Sequence, residues 1–223
     1  EKSPNANIVV LERVLLPTGA STKNAGFACF GSLTELLDDL KVMSEAESFA
    51  LVEERVKGLE KLRARLGDKK LDYLGYGGYE LINEEDMACL DEIERVNELL
   101  KPLFDKPVFE VSNQKIAEFG FANNKVPALI YNQYEGQINT GEMMKNLLAL
   151  ARQMGIELIT GAEVLSIEEE QDKLRLNIMS KVTDGFFIKA SSFIFKYFGS
   201  AASFLIVIPR DDLAFVCFSH RQY

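Results

Sequence analysis

Glu12 is the first residue of this sequence whose type and position suggest a chemical role. It ends the apolar run ANIVVLE (residues 6–12), which contains β-branched residues and predicts a buried parallel strand. A carboxylate at the carboxyl end of such a strand can accept hydrogen bonds from the hydroxyls of a ribose. The motif G-x-G-x-x-G, which normally lies about 20 residues before this acid, is absent from the sequence. The alternative is a solvated glutamate at a strand end.

The loop of residues 17–26 adds groups that can contact a large, flat ligand carrying phosphates. Small or bend-forming residues let a ligand approach its backbone closely: Pro17, Gly19, Ala20, Ala25 and Gly26. Others provide hydroxyl, ammonium and amide donors for phosphate or ring oxygens: Ser21, Thr22, Lys23 and Asn24. The alternative interpretation of this loop is an ordinary surface turn.

Helices and strands on either side must position these groups. The capping-box pattern S-x-x-E occurs from Ser32 and again from Ser44, so residues 33–66 predict one bent helix or two in series. A further helical pattern begins at Thr140, and the apolar runs within residues 156–179 predict strands. The chain is therefore a mixed α/β protein with βαβ character at both ends of a less regular middle.

Composition excludes several classes of function. A net charge of -9 argues against nucleic acid as a partner, since phosphate backbones require a basic surface. The widely separated Cys29, Cys89 and Cys217 predict reduced thiols in a cytoplasmic protein, without a disulfide framework or a metal site. The single histidine, His220, lies far along the chain from Cys29, which argues against a cysteine hydrolase. Polar residues interrupt the apolar stretch near residues 193–208, so no membrane-spanning helix is expected.

Two blocks of the sequence resemble the FAD-dependent oxidoreductases of the D-amino-acid-oxidase-like family, the group that includes glycine and sarcosine oxidases. The first block is VVLER followed by PTGASTKNAGFACFGS, within residues 9–32. The second is GQINTGEMMKNLLALARQMGIELITGAEVLSIE, residues 136–168. Their order and separation also fit the family, and the resemblance extends over residues 6–190, although the middle matches only in outline.

The resemblance implies FAD as the cofactor and a contact for each matching residue. Glu12 would hold the adenosine ribose, Ser21 would contact the pyrophosphate, and the backbone of Val164 would pack at the adenine. Another group would lie along the ribityl chain or the isoalloxazine ring: Lys23, Asn24, Ala25 and Gly26. No catalytic residue is implied, because enzymes of this family rely mainly on the placement of the substrate.

The implied fold is α/β, with a partial FAD-binding Rossmann-like domain and an inserted α+β substrate-domain segment. The FAD-binding parts would be residues 1–67 and 136–190, and the substrate-domain segment would be residues 68–135. Residues 191–223 are unassigned, because the outline of the family fades near residue 190. The first strand of the family and its glycine motif are also missing, so we expect an incomplete or truncated member.

The expected function is oxidation of a small-molecule amine or amino acid, with hydride transfer to the flavin, and this truncated chain could be inactive. Tyrosines of the middle segment could face the substrate or belong to the core: Tyr73, Tyr76, Tyr79, Tyr131 and Tyr134. The alternative from another class is a degenerate α/β protein with a structural or protein-binding role, which would use its long acidic helices.

Overall fold

The structure is a computed structural model that describes residues 7–16, 19, 21–122, 125–171 and 173–190, and the backbone of three later strands. The chain divides into two compact units. The first comprises Glu1–Ala25 with Thr140–Tyr223, and the second comprises Gly26–Asn139. The second unit is therefore inserted, in sequence, into the first.

The helices and strands are numbered in chain order. The helices are α1 (Leu33–Val42), α2 (Glu45–Leu66), α3 (Asp68–Leu71), α4 (Ile93–Leu100), α5 (Gln114–Glu118) and α6 (Thr140–Gln153), with a 3₁₀ helix at Met87–Glu92 before α4. The strands are β1 (Asn7–Glu12), β2 (Phe27–Ala28), β3 (Gly78–Ile82), β4 (Phe109–Val111), β5 (Ala128–Asn132), β6 (Gly136–Gln137), β7 (Glu157–Thr160), β8 (Ala162–Glu170), β9 (Lys173–Ser180), β10 (Phe186–Ala190), β11 (Ser192–Phe198), β12 (Ala201–Leu205) and β13 (Leu213–Phe218).

Strand β1 lies inside a five-stranded sheet of the first unit, in the order β11-β12-β13-β1-β7. It runs parallel to both neighbours, and Val9 is in register with Glu157 of β7 and with Phe215 of β13. Val9 and Leu11 are buried. The prediction of a buried parallel strand is therefore confirmed, and its reason is the apolar, β-branched run before Glu12.

A second sheet of the first unit is antiparallel, in the order β10-β9-β8. Its buried side chains share one core with those of β1: Val9, Leu11, Ala162, Leu176, Ile178 and Ala190. Removing this apolar surface from water is the main force that holds the two sheets together. The core therefore fixes β8 against the strand that carries Glu12.

The second unit is built on a three-stranded antiparallel sheet, in the order β3-β5-β4, against which α1, α2 and α4 pack. Their shared core contains these residues: Phe30, Leu33, Leu36, Val52, Ile82, Cys89, Val96, Leu100, Val108, Phe109, Ala128 and Ile130. A short antiparallel ribbon of β2 and β6 lies in the same unit. Together the two units confirm the predicted mixed α/β class.

Residues 33–66 form two helices in series. Ser32 caps α1 and Ser44 caps α2, each with a complete capping box that includes the glutamate three residues later. Met43 separates the helices because its backbone is extended, with φ -124° and ψ 157°. The predicted helix starts are therefore confirmed, and Gly67 ends α2 with a positive φ of 78°.

The compact units have different boundaries from the domains expected from the sequence. Helices α1 and α2 fall in the second unit, whereas the expectation placed residues 1–67 in an FAD-binding domain. The expected substrate-domain segment, 68–135, lies wholly in the second unit. The tail of residues 191–223 contributes the backbone of β11, β12 and β13 to the sheet of the first unit. Which residues bind FAD and which bind substrate stays a prediction.

Ser48 on α2 provides a test of this packing. Its hydroxyl is buried without a hydrogen-bond partner in the described part of the chain, beside a cavity with room for about one water molecule. Apolar residues otherwise line the cavity: Leu36, Leu40, Phe49, Val52, Val96, Leu99 and Leu100. We expect Ser48→Ala to leave the free energy of unfolding unchanged or to raise it by up to about 1 kcal/mol, because no hydrogen bond is lost and alanine favours helix.

The matched control for Ser48 is Ser44, one turn earlier, whose hydroxyl caps α2. Ser44→Ala should lower the free energy of unfolding by about 1 kcal/mol. Urea denaturation followed by circular dichroism measures both changes. A loss at Ser48→Ala as large as that at Ser44→Ala would contradict the assignment of a hydroxyl without a partner.

Candidate functional site

Glu12 lies where β1 leaves the parallel sheet. It is the last residue of the strand and is in register with Thr160, the last residue of β7. Its side-chain Oε1 accepts a hydrogen bond from the backbone N–H of Val14 at 3.1 Å. The carboxylate is therefore turned toward the backbone that follows it, at the edge where parallel α/β sheets bind their ligands.

The local environment suits the Glu12 carboxylate to accept hydrogen bonds. Burial raises the pKa of the Glu12 carboxyl above its ordinary value, while the N–H of Val14 and the charge of Arg13 oppose that rise. Arg13 in turn lies 4.0 Å from Glu163 of β8. A partly desolvated carboxylate held by neighbouring backbone N–H groups still has lone pairs left for the hydroxyls of a ligand.

The chain after Glu12 is held by the turn between β7 and β8. Gly161 donates its N–H to the carbonyl of Val14 at 3.0 Å and accepts from the N–H of Lys181 at 2.8 Å. Gly161 has a φ of 67°, and a Cβ there would come within 2.9 Å of Leu15. The positive φ therefore favours glycine at this turn.

The polar loop forms a tight turn around the carbonyl of Gly19. That carbonyl accepts the N–H groups of Thr22 and Lys23 at 3.0 and 3.1 Å, and also the hydroxyl of Thr22 at 3.0 Å. Thr140, at the start of α6, donates its hydroxyl to the carbonyl of Thr22 at 3.5 Å. The predicted contacts Ser21, Lys23, Asn24 and Ala25 all have exposed side chains. Pro17 and Ala20 lie outside the described residues.

Val164 and Gly26 occupy different units. Val164 is on β8 opposite Ile178, beside a bulge, and packs on the core that β1 shares. Gly26 opens the second unit, is buried, and has a φ of 78° that favours glycine. Its carbonyl accepts the N–H of Ile138 at 2.8 Å, beside the β2–β6 ribbon. The structure thus brings Glu12, the part of the polar loop before Gly26, and Val164 into one unit, and the assigned contacts stay predictions.

The tyrosines of the middle segment divide into two groups. Tyr134 donates its hydroxyl to Asp105 at 2.5 Å and packs on the ring of Phe104, and Tyr73 lies under the guanidinium of Arg63. These two are structural in their present contacts. The others form a neighbouring group on β3, β5 and the loop before β3: Tyr76, Tyr79 and Tyr131.

One interaction that positions the chain after Gly26 is not visible in the sequence. Glu80 of β3 accepts the N–H of Leu33 at 2.9 Å and the N–H of Thr34 at 3.4 Å, and it also accepts the hydroxyl of Thr34. A carboxylate at a helix N-terminus satisfies amides that have no partner within the helix. The only sequence signal is a strand glutamate after the glycines of GYGG, and this signal is weak.

These features define a class of protein: a mixed α/β chain in which a strand with parallel neighbours on both sides ends in a carboxylate followed by a polar turn. The family described as FAD-dependent oxidoreductase (DAO) matches residues 2–194 of the chain. The chain therefore belongs to that family, and FAD is the family's cofactor. No curated protein matches it.

Solved structures share this fold at low sequence identity. Glycine oxidase from Geobacillus kaustophilus is 21% identical with a TM-score of 0.51, over 78% of this chain and 45% of that one. L-α-Glycerophosphate oxidase from Mycoplasma pneumoniae, solved with FAD bound, is 13% identical with a TM-score of 0.52, over 85% and 48%. Iminodiacetate oxidase from Chelativorans sp. BNC1 is 14% identical with a TM-score of 0.50, over 81% and 52%. The chain thus spans about half the length of each.

The described residues contain no group of histidine, cysteine, aspartate and glutamate side chains that could hold a metal ion. None of the helices among them is long and apolar enough to cross a membrane.

The cap that Glu80 forms on α1 can be tested directly. We expect Glu80→Ala to lower the free energy of unfolding by about 1.5–3 kcal/mol, because hydrogen bonds to a charged acceptor are lost at partly buried amides. Glu110→Ala, which removes an exposed carboxylate from the neighbouring strand β4, should change it by less than about 0.5 kcal/mol. Urea denaturation measures both, and equal losses would contradict the capping role.

Proposed function

We propose that this chain binds FAD and forms part of an oxidoreductase that acts on amines or amino acids. The observation that carries the proposal is the position of Glu12, at the carboxyl end of a strand that pairs in parallel with both of its neighbours. Belonging to an FAD-dependent family supports the choice of cofactor. The exposed turn after Glu12 adds donors of the kind that the phosphates of a dinucleotide require.

The residues present fit the chemistry of FAD. The Glu12 carboxylate would accept the ribose hydroxyls, and exposed Ser21 and Lys23 would donate to the pyrophosphate or the ribityl chain. The side chains of Asn24 and Ala25 are exposed on the same turn, next to Gly26. Val164 would offer backbone groups to the adenine from β8.

In the proposed reaction the residues of this chain bind and orient the cofactor. Bound FAD would supply the acceptor for the hydride that leaves the substrate carbon. The carboxylate of Glu12 would contact the ribose of the cofactor, which is far from the reacting atoms. Glu12 would therefore affect binding and not the chemical step. Small residues at Ala25 and Gly26 would let the backbone approach the ring without a side chain between them.

The substrate class rests on the names of related structures. Glycine oxidase and iminodiacetate oxidase support an amine or amino-acid substrate. L-α-Glycerophosphate oxidase, with a similar TM-score, is named for a different substrate. The fold hosts several substrates, so the substrate is the least constrained part of the proposal. A cytoplasmic location is also proposed, and the free thiols of Cys29 and Cys89 support it.

Flavin retention tests the proposal first. The purified chain, incubated with FAD and then desalted, should keep the visible absorption bands of a bound flavin. Retained bands support the proposal. A colourless protein would instead favour the degenerate α/β protein with a structural or protein-binding role.

Glu12→Ala tests the ribose contact. It should weaken FAD binding by about 10- to 100-fold, because charge-assisted hydrogen bonds are worth about 1.5–3 kcal/mol. Fluorescence titration of FAD measures the affinity. Glu169→Ala removes an exposed carboxylate from β8 and is the matched control, with no expected change. Unchanged affinity in Glu12→Ala would remove Glu12 from the site.

Gly26→Val tests the approach of the backbone to the flavin ring. The expected result is a folded protein that no longer retains FAD. Because Gly26 has a positive φ, valine also strains the backbone there. Gly67→Val is the control for that strain, since Gly67 has the same φ of 78° and open space around it. Circular dichroism and flavin retention are compared, and a flavin-loaded Gly26→Val protein would overturn the assignment.

A further inference from the structure

Carboxylates from three segments of the second unit converge near the amino terminus of α1. Glu35 belongs to the first turn of α1, Glu80 to β3, and Glu135 to the turn between β5 and β6. We call these residues the carboxyl cluster. None of them was a predicted site residue, and the proposed function does not use them.

Glu80 caps the amino terminus of α1 with both of its carboxylate oxygens. Both of its oxygens accept hydrogen bonds from Leu33 and Thr34, which is the arrangement of an ionised carboxylate. Glu35 completes the cap through Ser32, whose backbone N–H donates to its Oε2 at 3.4 Å. The cap on α1 therefore places negative charge from two elements beside the third member of the cluster.

The carboxyl of Glu135 lies against the glycine backbone of β3. Its Oε2 occupies the space that a Cβ on Gly78 would need, so the side chain packs directly on that strand. Gly77, with a φ of 80°, donates its N–H to the carbonyl of Glu135 at 3.0 Å and holds the turn in place. The close packing of the carboxyl on glycine backbone explains its loss of water.

The groups around Glu135 favour its protonated form. Burial raises the pKa of the Glu135 carboxyl to about 7, the side chain of Asn132 opposes the rise, and the charges of Glu80 and Glu35 add to it. Cys29 lies near this group. Burial raises the pKa of the Cys29 thiol, the charges of Glu135 and Glu35 raise it further, and the charge of Arg55 lowers it.

Arg55 of α2 is the cation of this region. Its Nη1 donates to the carbonyl of Phe30 at 2.9 Å and lies 4.0 Å from Oε1 of Glu35. It therefore ties the segment between β2 and α1 to α2 and faces Glu35. The charge near Glu135 itself comes from Glu80 and Glu35.

We propose that the carboxyl cluster is a proton-dependent switch on the amino terminus of α1. With a proton on Glu135, the Glu80 cap on the amides of Leu33 and Thr34 is intact. Loss of that proton places a third negative charge in the cluster, which weakens this cap. The proposal does not depend on FAD binding and is tested without it.

The sign of the pH dependence follows from linkage. The folded chain holds the Glu135 proton up to a pH of about 7, whereas an unfolded glutamate releases it near 4.5. Between these values the folded state binds more protons, so its stability falls as the pH rises. Below the lower value both states are protonated and this group contributes no slope. Glutamine at 135 cannot ionise and should remove this part of the profile.

Thermal unfolding of the full chain, without FAD, between about pH 5 and pH 8 tests the switch. The melting temperature of the wild type should fall by roughly 4 °C more than that of Glu135→Gln over this range. Glu110→Gln, an exposed carboxylate on β4, should follow the wild type. Parallel profiles for the wild type and Glu135→Gln would overturn the proposal.

Hydrogen exchange locates the effect. At about pH 8 the amides of Leu33 and Thr34 should exchange about fivefold faster in the wild type than in Glu135→Gln, and equally at about pH 5. The amide of Val52 in α2 should show no such difference. A uniform difference across the unit would overturn the local cap mechanism.

A titration of the wild type alone covers the case in which the variant does not fold. Carbon-13 NMR of the glutamate carboxyl groups should show one group with a midpoint near 7, well above the others. Midpoints that all lie near the ordinary value would overturn the proposal.

Discussion

Parallel pairing of β1 on both edges is the constraint on which the first unit depends. Because β7 and β13 take its backbone hydrogen bonds, β1 must be extended up to Glu12 and its apolar side chains must be covered on both faces. The chain can leave the sheet only after Glu12. The polar loop is therefore presented at the carboxyl edge, and Gly161 holds Val14, just before the loop, by a backbone hydrogen bond.

The second unit depends on a different interaction, the capping of α1 by a carboxylate distant in sequence. Glu80 reaches α1 because β3 and α1 contribute side chains to the same core. Gly77 and Gly78, shortly before Glu80, have no side chains. They therefore leave room for Glu135 to pack on the backbone of β3. A buried acid that must share space with an ionised one keeps its proton to a higher pH. Capping and titration are thus consequences of one packing arrangement.

Membership of the family bears on the cofactor and the substrate in different ways. An FAD-dependent oxidoreductase uses its protein to place the cofactor and the substrate, while the cofactor performs the redox step. Cofactor contacts at a sheet edge are common to many substrates, and the solved relatives include oxidases named for both amines and glycerophosphate. The family therefore fixes the cofactor, whereas the substrate belongs to the proposal. The chain spans about half the length of these relatives, so the activity of the whole protein is a proposal.

The sequence alone determined the elements with strong local signals: the buried strand before Glu12, the two capped helices within residues 33–66, the helix from Thr140 and the α/β class. It also carried the resemblance to the FAD-dependent family, because the blocks around Glu12 and Thr140 are contiguous in sequence. Only the tertiary structure decided that α1 and α2 pack in the inserted unit, and that Glu80 and Glu135 meet at α1. Those contacts join residues about fifty to a hundred positions apart, and periodicity reports only near neighbours along the chain.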